Sequence, residues 1–151
     1  MMITTKMFTP ANKPGFNEKE EVIEFLFNNL EQFGDPKADI TKSIDYALKE
    51  SPSFGGFVLV SFEGTEISGV VVVNQTGMKD YIPENILVYI ATHKKLRGKG
   101  IGKYLMKKTL EMVHGSIALH VEPDNPARLL YEKFGFTSKY IEMRYKNMAA
   151  Q

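Results

Sequence analysis

Three glycines at alternate positions, Gly98, Gly100 and Gly102, stand between the apolar run Ile86 to Thr92 and a run of helical period that ends at Gly115. This junction constrains the fold more than any other stretch. A strand that turns directly into a helix of this length and then into another strand carries the chain back across a sheet, so the flanking strands are parallel. A helix opening on such a turn presents unpaired backbone N–H groups, and its macrodipole adds positive potential at the same end. That combination binds phosphate. Glycine serves it because a side chain would hold phosphate oxygens away from the amides, and because some turn positions need positive φ. Arg97 and the neighbouring lysines add charge useful to a ligand with more than one phosphate. On glycine content alone, a tight turn beside a solvated lysine face is an equal reading.

Two familiar phosphate loops do not fit. In a Walker A loop, Gly102-Lys103 would need a glycine where Arg97 stands and a hydroxyl where Tyr104 stands. The dinucleotide fingerprint G-x-G-x-x-G fails because Lys103 occupies its third glycine position.

The rest of the chain fills in a mixed α/β domain. A first strand is expected near Ile3 to Phe8. A capping box at Asn17 and Glu20 then opens a helix carrying Val22, Ile23, Leu26, Phe27, Leu30 and Phe33, which ends at Gly34-Asp35-Pro36. Ile40, Ile44, Ala47 and Leu48 mark a second helix, stopped at Ser51-Pro52. Phe54 to Phe62 and Glu66 to Gln75 read as a hairpin around Glu63-Gly64-Thr65. Ile86 to Thr92 is apolar on both faces and should be central. A helix from about Lys99 to Val113 should bury Gly102, Met106, Leu110 and Val113 and expose Lys99, Lys103, Lys107 and Glu111. Ser116 to Glu122 reads as a strand, Pro126 to Phe134 as a short helix, and Thr137 to Lys146 as a last strand.

At 151 residues, 43% hydrophobic, the chain is expected to form a single domain, 1–151. Nineteen lysines and arginines against 18 aspartates and glutamates give a net charge of +1, which argues against nucleic acid or an anionic membrane as a general partner. With no cysteine there is no disulfide, thiolate catalysis or cysteine-ligated zinc. The N-terminal stretch has no apolar core of signal-peptide length, and Val70 to Val73 is too short to cross a bilayer, so a cytoplasmic protein is expected.

Arg97-Gly98-Lys99-Gly100-Ile101-Gly102 resembles the [QR]-x-x-G-x-[GA] loop with which the GNAT family of N-acetyltransferases holds the pyrophosphate of acyl-CoA, and it lies in the same place between strand and helix. A second segment, Asn125 to Phe136, is similar to the family's N-x-x-A-x-x-L-Y-x-x-x-G-F helix beside the pantetheine arm. The family's asparagine, counted back from Tyr131, falls on Asp124. Asn125 matches with one residue fewer, and a pantetheine contact and a helix cap both stay open for it.

The resemblance implies a GNAT-like mixed sheet of about six to seven strands with about four helices and a splayed parallel pair, Ile86 to Thr92 beside Ser116 to Glu122. Acetyl-CoA, a co-substrate, would lie in the wedge. There it would bond the backbone of Ile90, Ala91 and Thr92, and its diphosphate would rest on Arg97, Gly98, Lys99, Gly100, Ile101, Gly102 and Lys103. The Ile90 amide would stabilise the oxyanion. No metal is implied. The acceptor would be a primary amine, on a small molecule or a peptide, attacking directly in a ternary complex. An alkylamine has a pKa of about 10.4 and must lose a proton first. Glu84, His120 and Glu122 are the candidate bases. The latter two share a side by strand alternation, and each of the three has an ordinary structural reading. Tyr131 matches the family's proton donor to the leaving thiolate, whose pKa is about 8.5. His93 reads as a solvent-facing loop residue. A domain that binds or senses acyl-CoA without catalysis is the alternative, and a homodimer through the last strand is a further expectation.

Overall fold

The computed structural model describes residues 2–149, as two compact units, one ending at Leu119 and the other beginning at His120. The first unit holds a five-stranded sheet in the order β1 (Ile3–Phe8), β2 (Gly56–Glu63), β3 (Glu66–Gln75), β4 (Asn85–Thr92), β5 (Ile117–Ala118). Neighbours are antiparallel except β4 and β5, the parallel pair that the intervening helix requires. The expected hairpin is β2–β3, turning at Gly64 with φ +64°.

The sheet is covered on both faces, which is why Val70, Val71, Val72 and Val73 are all fully buried although successive side chains of a strand point in opposite directions. Val58, Val60, Val70, Val72, Tyr89 and Ala91 pack with Val22, Leu26, Ile40, Ile44 and Leu48 of α1 (Phe16–Leu30) and α2 (Lys37–Leu48). Burial of each such side chain contributes about 1.5–3 kcal/mol. On the other face lies α3 (Ile101–Met112), with Leu105 seated over Gly69.

Several boundaries differ from expectation. Helix α1 starts before Asn17, with Gly15 at its N-cap. Glu18, three residues on, accepts the Gly15 N–H at 3.0 Å and binds Lys6 at 3.1 Å, so the acid that closes the first turn is Glu18 rather than Glu20. A 3₁₀ turn, Glu31–Phe33, follows α1. Helix α3 begins at Ile101 rather than Lys99, and it buries Ile101, Leu105, Met106 and Thr109. Of the expected stripe only Met106 is fully buried, because the bare surface at Gly69 draws Leu105 inward. The lysine face is exposed as expected.

Strand β5 stops at Ala118, well short of Glu122: only Asn85–Ile117 and Ile86–Ala118 pair among the described residues. The segment 137–146 forms no strand. Its alternation suits one, but a strand exists only through ladder bonds to a neighbour, and the segment has none among the described residues; Ile141, Met143 and Tyr145 are each 89% exposed. Five strands are therefore described where six to seven were expected. Among the described residues, the second unit contains one helix, α4 (Ala127–Lys133). No helix among the described residues is long and apolar enough to cross a membrane.

Candidate functional site

The short pairing of β4 with β5 is held at Asn85. Buried Asn85 donates from Nδ2 to the carbonyls of His114 (2.7 Å) and Ser116 (3.2 Å), and its own N–H reaches Ser116 O at 3.1 Å. Beyond Ile86 a bulge takes hold: Leu87 faces Val73 and Tyr89 faces Val72, which leaves Val88 as the extra residue. A bulge bends its strand and increases the local twist. From there to Thr92, β4 pairs with β3 alone, so Ile90, Ala91 and Thr92 lie where the strand has one edge without a ladder partner among the described residues.

The chain then enters the glycine corner. His93 N–H bonds Ser68 O at 2.9 Å, Lys94–Leu96 makes a 3₁₀ turn, and Gly98 and Gly100 take φ of +82° and +84°, values that cost an ordinary side chain roughly 1–2 kcal/mol. Gly100 is the N-cap of α3 and has no side chain to spend on capping. The first intrahelical bond is Tyr104 N–H to Gly100 O at 3.0 Å, so the amides of Ile101, Gly102 and Lys103 precede the ladder. A Cβ built at Gly98 or Gly100 would meet nothing within 4 Å. The corner is thus bare, open and donor-rich, with exposed Lys99 and Lys103 on it. It fits an anionic diphosphate.

Arg97, expected at the diphosphate, has partners within the chain. Its guanidinium donates to Glu31 Oε1 at 2.8 Å and to the Asn29 carbonyl at 2.7 Å, so it binds the end of α1. The hydrogen bond from Arg97 is the main cause holding the Glu31 carboxyl below the usual range, and the charges of Arg97 and Lys94 act in the same direction. Asn29 is 7% exposed. Its Oδ1 accepts the Lys94 N–H at 2.9 Å, while its Nδ2 donates to Phe25 O at 2.9 Å. His93 is not simply solvent-facing: its Nδ1 accepts the Lys95 N–H at 3.1 Å and its ring lies 6.2 Å from that of Phe25. Asn29 went unread in the sequence, although an asparagine seven residues after Val22 and three after Leu26 falls in the inward register of α1.

Glu84 sits beside the start of the β4–β5 pairing. Its carboxylate accepts backbone N–H groups from Asp80 (2.9 Å) and Ser116 (2.6 Å), and these two bonds, Asp80 first, hold its pKa below the ordinary value. Gly115, at φ +85°, lets it approach, since a Cβ there would stand 2.3 Å from Glu84 Oε1. A carboxylate so engaged is a poor proton acceptor. On the face covered by α1 and α2, Tyr89 donates its hydroxyl to Asp35 at 2.5 Å and joins the strand to the loop between the two helices. Burial first, then that bond, raise the phenol's pKa.

Within the second unit, Asn125 stands one residue ahead of the Pro126 N-cap, and its Oδ1 accepts the Ala127 N–H at 2.9 Å, a local turn bond. Helix α4 ends in a hydrogen-bonded stop, with Phe136 N–H reaching Tyr131 O at 3.1 Å, Gly135 at φ +92°, and the Phe136 ring 5.9 Å from the Tyr131 ring. The tyrosine, glycine and phenylalanine of the second motif thereby fix one another. Tyr131 is buried, and burial pushes its phenol up to about 12. His120 and Glu122 are exposed and lie outside any strand, so the alternation that aligned them does not apply.

Residues 54–138, more than half of the chain, match the Acetyltransferase (GNAT) domain. Over 60 residues, 38% of the chain, the sequence is 35% identical to the Cysteine-rich protein 2-binding protein of Mus musculus; the match spans 8% of that relative's length. The fold resembles that of an aminoglycoside acetyltransferase from an uncultured soil metagenomic sample, with a TM-score of 0.65, 21% identity and coverage of 97% of this chain and 99% of that one. It also resembles the aminoglycoside N-acetyltransferase AAC(6')-Iy, solved in complex with CoA, with a TM-score of 0.69, 12% identity and coverage of 97% and 95%. The domain match runs through β4, β5, the glycine corner and α4 alike, and the chain belongs to the GNAT family of N-acetyltransferases.

Proposed function

We propose that the protein transfers an acetyl group from acetyl-CoA to a primary amine on a small molecule or peptide, by direct attack in a ternary complex, with the whole chain acting as one acetyltransferase domain in the cytoplasm. The observation that carries this reading is the bare, left-handed Gly100 cap of α3, reached through one short turn from the β4 edge that has no ladder partner among the described residues. The diphosphate would take the free amides from Gly98 to Lys103, with Lys99 and Lys103 supplying charge. The pantetheine arm would pair with Ile90 to Thr92, and the Ile90 N–H would meet the oxyanion that forms as the amine nitrogen bonds the thioester carbon. Collapse breaks the C–S bond, the thiolate takes a proton, and the new amide remains on the acceptor.

Tyr131 is the proposed proton donor to that thiolate. Its raised pKa keeps it protonated at neutral pH and also makes it a weaker acid, which suits a strong hydrogen bond to the leaving sulfur more than complete early transfer. The acceptor's excess proton leaves through water, with His120 or Glu122 as the remaining side-chain candidates, since the Glu84 carboxylate is committed to Asp80 and Ser116. That commitment also favours the second reading, an acyl-CoA sensor without turnover. A screen of amines with acetyl-CoA, read as free thiol and by mass spectrometry, separates the two: acetylated product supports transfer, and acetyl-CoA binding without product for any amine supports the sensor.

A further inference from the structure

The loop that enters the glycine corner is tied at three points to the end of α1. Asn29 Oδ1 accepts the Lys94 N–H at 2.9 Å, the Asn29 carbonyl accepts from Arg97 at 2.7 Å, and Glu31 accepts from the same guanidinium at 2.8 Å. These bonds are of unequal kind. The two from Asn29 engage a residue that is 7% exposed, where geometry is held firmly, whereas Glu31 and Arg97 form an exposed ion pair. Glu31 itself sits at φ +54°, an uncommon value for a residue with a side chain, and this turns the chain out of α1 just where its carboxylate meets Arg97.

We propose that Asn29 and Glu31 are positioning residues for acyl-CoA: they clamp Arg97 and the Lys94 amide so that the amides of Gly98 to Lys103 are pre-set for the diphosphate. The inference rests on the reading of that corner as the acyl-CoA site. A clamped loop does not have to be ordered when ligand binds, so the clamp lowers the dissociation constant without touching the ligand.

The sign of one substitution separates positioning from plain electrostatics. Glu31 is an acid on an otherwise basic corner, and its removal alone should tighten binding of an anion. If it acts through Arg97, removal loosens binding instead. The test is calorimetric titration of acetyl-CoA into the wild-type chain, Glu31→Ala, Arg97→Lys and the double variant, at one ionic strength. Arg97→Lys keeps the charge and loses the fork that spans Glu31 and Asn29. The expected result is a dissociation constant raised about three- to tenfold in each single variant, with KM for acetyl-CoA rising by the same factor, and a double variant no weaker than the weaker single. Unchanged or tighter binding in Glu31→Ala, or effects that multiply in the double variant, would overturn the clamp. Failure of the wild-type chain to bind acetyl-CoA would remove the acyl-CoA reading itself, and the clamp with it; that result is distinct because it appears before any variant is made.

Discussion

Leu105 sits directly over Gly69: a Cβ on Gly69 would stand 2.4 Å from the Leu105 Cδ1 methyl and 2.9 Å from Ser61 Oγ. This contact sets the depth of α3 on the sheet, and with it the height of the glycine corner that begins the helix. Gly69→Ala is expected to destabilise the protein by about 1–3 kcal/mol through overpacking, seen as a lowered midpoint in urea with an unchanged m-value.

Thr109, on the same buried face of α3, has a side-chain oxygen with no hydrogen-bond partner among the described residues. Thr109→Val removes that hydroxyl at nearly constant shape. It is expected to stabilise by about 1 kcal/mol, raising Tm by roughly 2–4 °C in a calorimetric scan.

Glu84 gives a pH signature. Its pKa is lowered in the folded chain, so its contribution is present above the unfolded value near 4.5 and is lost as pH falls through the lower folded value. In Glu84→Gln, the fall of Tm on acidification below about pH 4.5 should be shallower than in the wild-type chain. Parallel curves would show that the two backbone bonds contribute nothing to the linkage.

For Tyr131→Phe, acetyl transfer at saturating substrates should fall by about 100-fold while acetyl-CoA affinity changes little, as steady-state kinetics and titration will report. Unaltered turnover would strip the phenol of its proposed part.

The sequence made the frame readable where one physical cause acts locally. The periodic apolar face of α1, the hairpin turn at Gly64 and the glycine corner each depend on neighbouring residues. Features that depend on a distant partner were hidden. Strand β5 and the segment 137–146 have strand-like alternation, yet pairing decides strands, and only Ile117 and Ala118 pair. The inward face of α3 was misjudged because it answers to Gly69, far away in sequence. At the candidate site the glycines were legible from their spacing. The engagement of Arg97 with Glu31 and Asn29, and of Glu84 with Asp80 and Ser116, was not, since a charged side chain carries no mark of whether it faces ligand or chain.

On the proposed function, acyl-CoA binds through bare backbone amides at the start of α3. An amide-resolved NMR titration with acetyl-CoA measures this directly. Saturable shifts are expected to centre on the N–H groups of Gly98, Gly100, Ile101 and Gly102 and to be abolished in Gly100→Val, whose side chain would project into the open space there. Saturable binding that leaves those amides unmoved, or that survives in Gly100→Val, would contradict it.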